Sequence, residues 1–143
     1  MNIEIREEKK ELRVIIECRK ADEQVFRLRT HLELFNNKLQ AKTDSGICFI
    51  NVKDALYFEA VDDKIFLYTE ASVMEVRHRL YELEEMLSAK DFIRISKSVI
   101  VNINKIATLR PELNRTLLLA MCNGEQLVVS RSYAKAFREI LGI

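Results

Sequence analysis

Glycine and proline are scarce in this sequence, and the few that occur exclude several kinds of protein. The three glycines lie at positions 46, 124 and 142, too far apart to form the glycine-rich loops that cradle nucleotide phosphates. A single proline and a hydrophobic content of 48% are typical of a folded domain and not of a disordered chain. The 143 residues suffice for one good core with a small appended segment.

Histidine and cysteine are also scarce, which argues against metal sites and catalysis. His31 and His78 have no second His or Cys at ligand spacing, and the chain has no glycine-rich nucleophile elbow. Cys18, Cys48 and Cys122 are widely spaced and flanked by apolar residues, so we expect buried free thiols in a reducing compartment. We therefore predict a protein that is not an enzyme and that needs no metal or cofactor.

Long apolar runs are absent as well. No stretch approaches the roughly 20 apolar residues that cross a bilayer, and the N-terminus MNIEIREEKKELRV is charged throughout, unlike a secretory signal. We expect a cytoplasmic protein that is not inserted in a membrane. The net charge is only +1, but residues 91–143 carry 8 Lys and Arg against 4 Asp and Glu. This basic last third could contact a polyanion.

Apolar periodicity and turn residues divide the chain at about residue 38. Residues 12–18 are β-branched and apolar, which predicts a strand, and helical spacing over about 22–36 predicts an amphipathic helix capped by Asp22. From residue 38 onward, short β-type stretches alternate with turn residues. We predict a small strand-helix segment over 1–37 and a mainly β domain over 38–143, with antiparallel strands in more than one sheet.

Two short helices punctuate the predicted β domain. The first covers about residues 78–88, where leucines line one side and glutamates the other. The second closes the chain, with Ser130 or Ser132 as its N-cap. Among the turns, Asn123-Gly124 is the strongest hairpin signal.

Basic residues of the last third are interleaved with small hydroxyl residues in FIRISKSVIVNIN (92–104) and VSRSYAK (129–135). This mixture is the one that contacts phosphates and base edges in nucleic acids. Other residues nearby have structural interpretations. Asn102 should fix the loop after its strand, and Glu59 should bond backbone groups beside its turn. The residues expected to fill the core are Phe92, Ile95, Val99 and Val101.

The order of four strings, ALYFEAVDDKIFLYT, RLYELEEML, DFIRISKSVIVNINKI and NGEQLVVSRSYAKAF, resembles the LytTR family of bacterial DNA-binding domains. The resemblance covers about residues 38–143. It implies an antiparallel β domain whose inter-strand loops enter successive major grooves from one side of the duplex. Lys97, either Arg131 or Ser132, and Lys64 match positions that contact DNA in the family. Lys97 is a departure, since other members carry a polar or a different basic residue there.

The predicted function is a sequence-specific regulator of transcription that binds double-stranded DNA. Arg94 has an open role within it, because its guanidinium could pair with an acid or a phosphate. The alternative is a protein-interaction module whose basic loops dock an acidic partner. Single-stranded nucleic acid would require exposed aromatics on a sheet face, whereas most Phe and Tyr residues here lie within apolar runs. The predicted DNA-binding residues are Lys64, Arg94, Ser96, Lys97, Ser98, Arg131, Ser132 and Lys135.

The resemblance also bears on how such a regulator is controlled. Many family members carry a phosphoryl-accepting receiver domain, for which residues 1–37 are too few, so we expect another input. The apolar stripe of residues 1–37 has few local residues to cover it, which predicts homodimerisation or docking of a partner. Short regulators of this kind resemble family members that a separate membrane protein sequesters. An inhibitory membrane-protein partner is therefore part of the expectation.

Overall fold

The chain consists of an N-terminal unit and a β domain. The computed structural model describes residues 1–7 and 12–143, the side chains at positions 30, 33, 34 and 89 excepted, and the chain divides into the units Met1–Asn36 and Asn37–Ile143. Helix α1 spans Glu23–Asn37. Asp22 caps it as predicted, because its Oδ1 accepts a hydrogen bond from the Val25 N–H at 3.1 Å.

The prediction of a strand at residues 12–18 is wrong. These residues have no regular secondary structure, and Leu12, Val14 and Ile15 expose 91%, 59% and 67% of their surface. β-branched residues favour strands, but a strand is stable only when a neighbour satisfies its backbone N–H and C=O groups. The prediction rested on residue composition alone, and residues 12–18 form no strand pairing.

The β domain consists of short strands in the order that the turn residues predict. In the described part of the chain, ten strands are joined by two further helices, α2 (Leu80–Leu87) and α3 (Arg131–Leu141), and by 3₁₀ turns at Val52–Asp54, Ser88–Lys90, Ile103–Lys105 and Leu113–Arg115. The strands are β1 (Lys38–Thr43), β2 (Gly46–Asn51), β3 (Tyr57–Val61), β4 (Lys64–Tyr68), β5 (Val73–Val76), β6 (Phe92–Arg94), β7 (Val99–Asn102), β8 (Ile106–Pro111), β9 (Leu117–Met121) and β10 (Gln126–Val129).

These strands form two sheets, and every pairing is antiparallel. The larger sheet has seven strands in the order β2-β1-β5-β4-β3-β7-β6, and the smaller has three in the order β10-β9-β8. The Asn123-Gly124 signal is confirmed as the β9–β10 connection, in which the Gly124 N–H donates to the Met121 carbonyl at 2.9 Å. The predicted mainly β, multi-sheet antiparallel fold with short helices is confirmed.

Alternation along the central strands supplies a separate hydrophobic core on each face of the larger sheet. Phe58 and Ile100 belong to a cluster with the leucines of α2, whereas Tyr57 and Val101 belong to a second cluster with the smaller sheet and α3. The predicted core residues are confirmed, since Phe92, Ile95, Val99 and Val101 are all buried. Phe92 lies in the α2 cluster, and the other three lie in the cluster shared with α3.

Tyr57, which stacks on Tyr68 within the larger sheet, connects the two sheets. The rings of Tyr57 and Tyr68 lie 4.2 Å apart and nearly parallel. The Tyr57 hydroxyl donates a 2.6 Å hydrogen bond to the Glu125 carboxylate in the β9–β10 turn. Burial, and after it the bond to Glu125, raises the pKa of Tyr57 well above its ordinary value. The neutral hydroxyl is therefore kept as a donor, and it ties the larger sheet to the turn of the smaller one.

The cysteines are free, but the prediction that they are buried is wrong. Cys18 and Cys122 are exposed, and Cys48 is half-buried. An apolar sequence neighbour does not place a residue inside, because alternate strand residues face opposite ways. The hydrogen bond from the Cys122 thiol to Glu70 raises the pKa of that thiol, which makes it less reactive. Within the described residues, no helix is long and apolar enough to span a bilayer.

Candidate nucleic-acid interface

The Ser-Lys-Ser segment is the loop between β6 and β7. Its base is closed by a hydrogen bond from the Ile95 N–H to the Val99 carbonyl, 3.0 Å long. Within the loop, the Ser98 N–H donates to Ser96 Oγ at 3.2 Å, and the two serine hydroxyl oxygens lie 3.4 Å apart. Both serines are half-buried, whereas Lys97 is exposed. The serines therefore shape the turn, and the lysine is the side chain available to a ligand.

Arg94, the last residue of β6, is bonded to the same loop. Its Nε donates to the Ser96 carbonyl at 3.0 Å, and its Nη2 donates to the Lys97 carbonyl at 2.5 Å. Its Nη1 pairs with Glu84 Oε2 of α2 at 2.8 Å. The sequence interpretation left an acid or a phosphate as possible partners, and the structure supplies the acid. From the sequence, Glu84 was predicted only to lie on the polar side of its helix. It is ten residues from Arg94, and no sequence pattern predicts an ion pair between them.

The second predicted segment is the start of α3. Ser130 occupies the N-cap position, which was one of the two predicted caps. Its N–H donates to the Ile95 carbonyl at 2.9 Å, so the helix start is bonded to the base of the Ser-Lys-Ser loop. Arg131 and Ser132 are exposed in the first turn, and Lys135 is exposed one turn later. Arg131 and Lys135 share a helix face because they are four residues apart.

The third segment is the β3–β4 hairpin. Val61 pairs with Lys64, and the two turn residues between them, Asp62 and Asp63, have φ of 48° and 65°. These positive values at both central positions are those of a type I′ turn, whose twist matches the flanking strands. One residue before Val61, the Ala60 N–H donates to the Ser98 carbonyl at 2.8 Å. Lys64 is exposed, and its hairpin is held directly beside the Ser-Lys-Ser loop.

All three predicted segments therefore meet at one end of the larger sheet. Two backbone hydrogen bonds, from Ala60 to Ser98 and from Ser130 to Ile95, join the hairpin and the helix start to the loop between them. Of the eight predicted residues, Arg94, Ser96 and Ser98 are half-buried, and the exposed ones are Lys64, Lys97, Arg131, Ser132 and Lys135. This end presents four exposed Lys and Arg side chains on hydrogen-bonded turns, beside the exposed Asp62 and Asp63 of the hairpin. The excess of cations suits a polyanion.

Two structural assignments near this end have different outcomes. The assignment of Asn102 to its loop is confirmed, because its Oδ1 accepts from the Asn104 N–H at 3.0 Å and its Nδ2 donates to the Ala55 carbonyl at 2.8 Å. The prediction that Glu59 bonds backbone groups is wrong, since its Oε1 accepts from the Tyr68 hydroxyl at 3.1 Å. Glu59 and Tyr68 lie on neighbouring strands, so a side-chain partner across the ladder replaces the backbone of the turn.

Among the described residues, no group of three His, Cys, Asp or Glu side chains is placed to hold an ion. What this end offers is loop-held cations beside a helix N-terminus, on a rigid antiparallel sheet. These features are compatible with a domain that contacts nucleic acid.

Comparison with known proteins assigns the family. Residues 45–142 match the profile of the LytTr DNA-binding domain. A solved LytTr DNA-binding domain from Bacillus cereus superposes with a TM-score of 0.72 at 36% identity, covering 75% of this chain and 98% of that one. The chain belongs to the LytTR family of DNA-binding domains.

Curated relatives extend the comparison to longer proteins. The sensory transduction protein LytT of Bacillus anthracis is 34% identical over 107 residues, which are 75% of this chain and 44% of that protein. An uncharacterized HTH-type transcriptional regulator of Staphylococcus aureus is 36% identical over 100 residues, 70% of this chain and 67% of the relative. The chain thus spans less than half the length of the LytT proteins that it matches.

Proposed function

We propose that this chain is a sequence-specific DNA-binding regulator of transcription, and that the loop-bearing end of the larger sheet is its DNA-reading surface. The observation that carries the proposal is the joining, by two backbone hydrogen bonds, of three separate segments that each carry an exposed Lys or Arg. They are far apart in the sequence, and the pairing of β3 with β7 and the bond at the start of α3 place them side by side, where one ligand can contact all three. Membership of a DNA-binding family supports duplex DNA as that ligand.

The proposed division of labour follows from exposure. Lys97 and Lys64 are exposed on tight turns that can enter a major groove, where an ammonium can bond guanine O6 or N7 or a phosphate. Arg131 begins α3, and its planar guanidinium can bond a guanine bidentately. Lys135, one turn further along the same face, is placed for a phosphate of the backbone. The loop and the helix start would then occupy adjacent grooves.

A selection from random duplexes tests the proposal directly. The library has about 30 base pairs, and wild-type protein is compared with the Lys97→Ala variant at physiological salt, where sequence-independent binding is weak. We expect one motif to be enriched, with two short half-sites about 10 base pairs apart, and the variant to lose that enrichment. For about four to six phosphate contacts, the logarithm of the binding constant should fall against the logarithm of salt with a slope near −4 to −5.

The alternative is an acidic protein partner that docks on the same loops. Such a partner would give no preference for one duplex over random competitor, whereas specific DNA binding is favoured by orders of magnitude. A wild-type protein that enriches no motif would therefore contradict the proposed function and favour the docking module.

We propose that the segment 1–37 mediates dimerisation, or docks an inhibitory partner such as a membrane protein, in this regulator. Val14, Phe26 and Phe35 are exposed in it, at 59%, 53% and 81% of their surface, and apolar side chains in such numbers mark interaction surfaces. Light scattering after size exclusion should give a dimer for wild-type protein and a monomer for the Val14→Glu/Phe26→Glu variant. Monomers in both cases would contradict dimerisation and leave partner docking as the role.

A further inference from the structure

One side chain outside the Ser-Lys-Ser loop donates hydrogen bonds to its backbone. Two consecutive carbonyls of the loop, those of Ser96 and Lys97, accept hydrogen bonds from the Arg94 guanidinium. Arginine presents its N–H groups in a rigid planar fork, so both carbonyls are fixed relative to one plane. A Lys ammonium at this position could not reproduce that fork.

Glu84 fixes the guanidinium in turn. Its Oε2 lies 2.8 Å from Arg94 Nη1, and α2, which carries it, is anchored in the core by Leu80, Leu83 and Leu87. The Arg94 side chain is 21% exposed and that of Glu84 is 49% exposed, so the pair contributes little to folding stability. Its effect is on geometry, because it connects a core-anchored helix to the tip of the reading loop.

We propose that Arg94 is a positioning residue and not a DNA contact, and that Glu84 holds it for this task. The inference rests on the proposed function, and it assigns to Arg94 a role different from that of its exposed cationic neighbours. The hydrogen bonds of Arg94 order the backbone that carries Lys97 before DNA arrives. Without them the loop must be ordered during binding, and the free energy of ordering is subtracted from the affinity.

The two possible roles of Arg94 predict opposite effects at Glu84. A guanidinium that binds phosphate would be freed by Glu84→Ala, and the loss of a negative charge near DNA would tighten binding. A guanidinium that positions the loop would lose its anchor, and specific binding would weaken. Glu85→Ala is the matched control, because Glu85 is exposed on the same helix and its substitution removes the same charge.

The salt dependence of the dissociation constant also distinguishes a phosphate contact by Arg94 from a positioning role. A residue that contacts phosphate contributes about one unit to the salt slope, and a positioning residue contributes none. Arg94→Ala should weaken binding to the selected duplex roughly 5- to 10-fold with the slope unchanged. Arg94→Lys, which keeps the charge and loses the fork, should weaken it nearly as much, and Lys97→Ala should reduce the slope.

The experiment measures Kd against salt for the full chain carrying Arg94→Ala, Arg94→Lys, Glu84→Ala or Glu85→Ala. It also records the amide NMR signals of Ser96, Lys97 and Ser98 without DNA. We expect weaker specific binding at unchanged slope for the first three variants, near-wild-type binding for Glu85→Ala, and loop signals broadened by exchange in the Arg94 variants. Wild-type binding by Arg94→Lys, tighter binding by Glu84→Ala, or a slope reduced by about one in Arg94→Ala would overturn the proposal.

The DNA-free signals keep the two hypotheses distinguishable. If the wild-type protein selects no duplex, the proposed function fails, and the amide signals then decide by themselves whether Arg94 orders the loop. Sharp, unshifted signals in the Arg94 variants would overturn the positioning role regardless of any DNA result. Melting temperatures of all variants show whether a loss of binding comes from unfolding.

Discussion

Alanine at Lys97 or at Arg131 is expected to weaken binding to the selected duplex by about 1–3 kcal/mol, which is roughly 5- to 150-fold. Both side chains are exposed at the end of the sheet where the hairpin, the Ser-Lys-Ser loop and the start of α3 meet. Each would lose one contact to a base edge or phosphate. Neither substitution leaves a cavity, so the free energy of unfolding should stay within about 0.5 kcal/mol of the wild-type value.

Lys53→Ala is the matched control for these two variants. Lys53 is exposed in the 3₁₀ turn Val52–Asp54 that precedes β3, at the end of that strand away from the Asp62-Asp63 turn. The substitution removes the same charge from the opposite end of the sheet, so specific affinity should change little. Equal losses in all three variants, measured by fluorescence anisotropy, would mean that net charge and not this surface governs binding. A loss of stability matching the loss of affinity would make Lys97 and Arg131 structural residues.

The β domain was predictable because its local signals agree with one another. Turn pairs such as Asp62-Asp63 and Asn123-Gly124 separate strands whose alternating residues feed two cores, so turn chemistry and periodicity lead to the same elements. The failure at residues 12–18 has the opposite cause. There the composition favoured a strand, and no second local signal specified what would pair with it.

The candidate site was predictable in its members but not in its geometry. The strings around Lys64, Lys97 and Arg131 pointed to DNA through their order and their resemblance to a family, whereas the backbone bonds that join them depend on tertiary structure. The fork of Arg94 and its anchor at Glu84 could not be predicted either. Period-two alternation places Arg94 on the polar face, but it does not say which polar group lies opposite.

The anchoring of α3 leads to the second large effect, which concerns stability. Phe137 is completely buried, in the cluster that also contains Ile95 at the base of the Ser-Lys-Ser loop. Phe137→Ala should lower the free energy of unfolding by about 3–5 kcal/mol, because it removes a large apolar side chain and leaves a cavity. That is a large share of the roughly 5–15 kcal/mol typical of a domain. Urea unfolding followed by circular dichroism measures the change.

Two further substitutions separate packing at Phe137 from a general weakness of α3. Ile140→Ala lies on the same helix at a position 61% exposed, and it should change stability by no more than about 0.5 kcal/mol. Phe137→Leu keeps most of the apolar volume and should recover most of the loss. If Ile140→Ala were as destabilising as Phe137→Ala, the helix itself and not its core contact would be limiting. The start of α3 carries Arg131. Because Leu at position 137 still holds the helix against the loop, the Phe137→Leu variant should also retain its preference for the selected duplex.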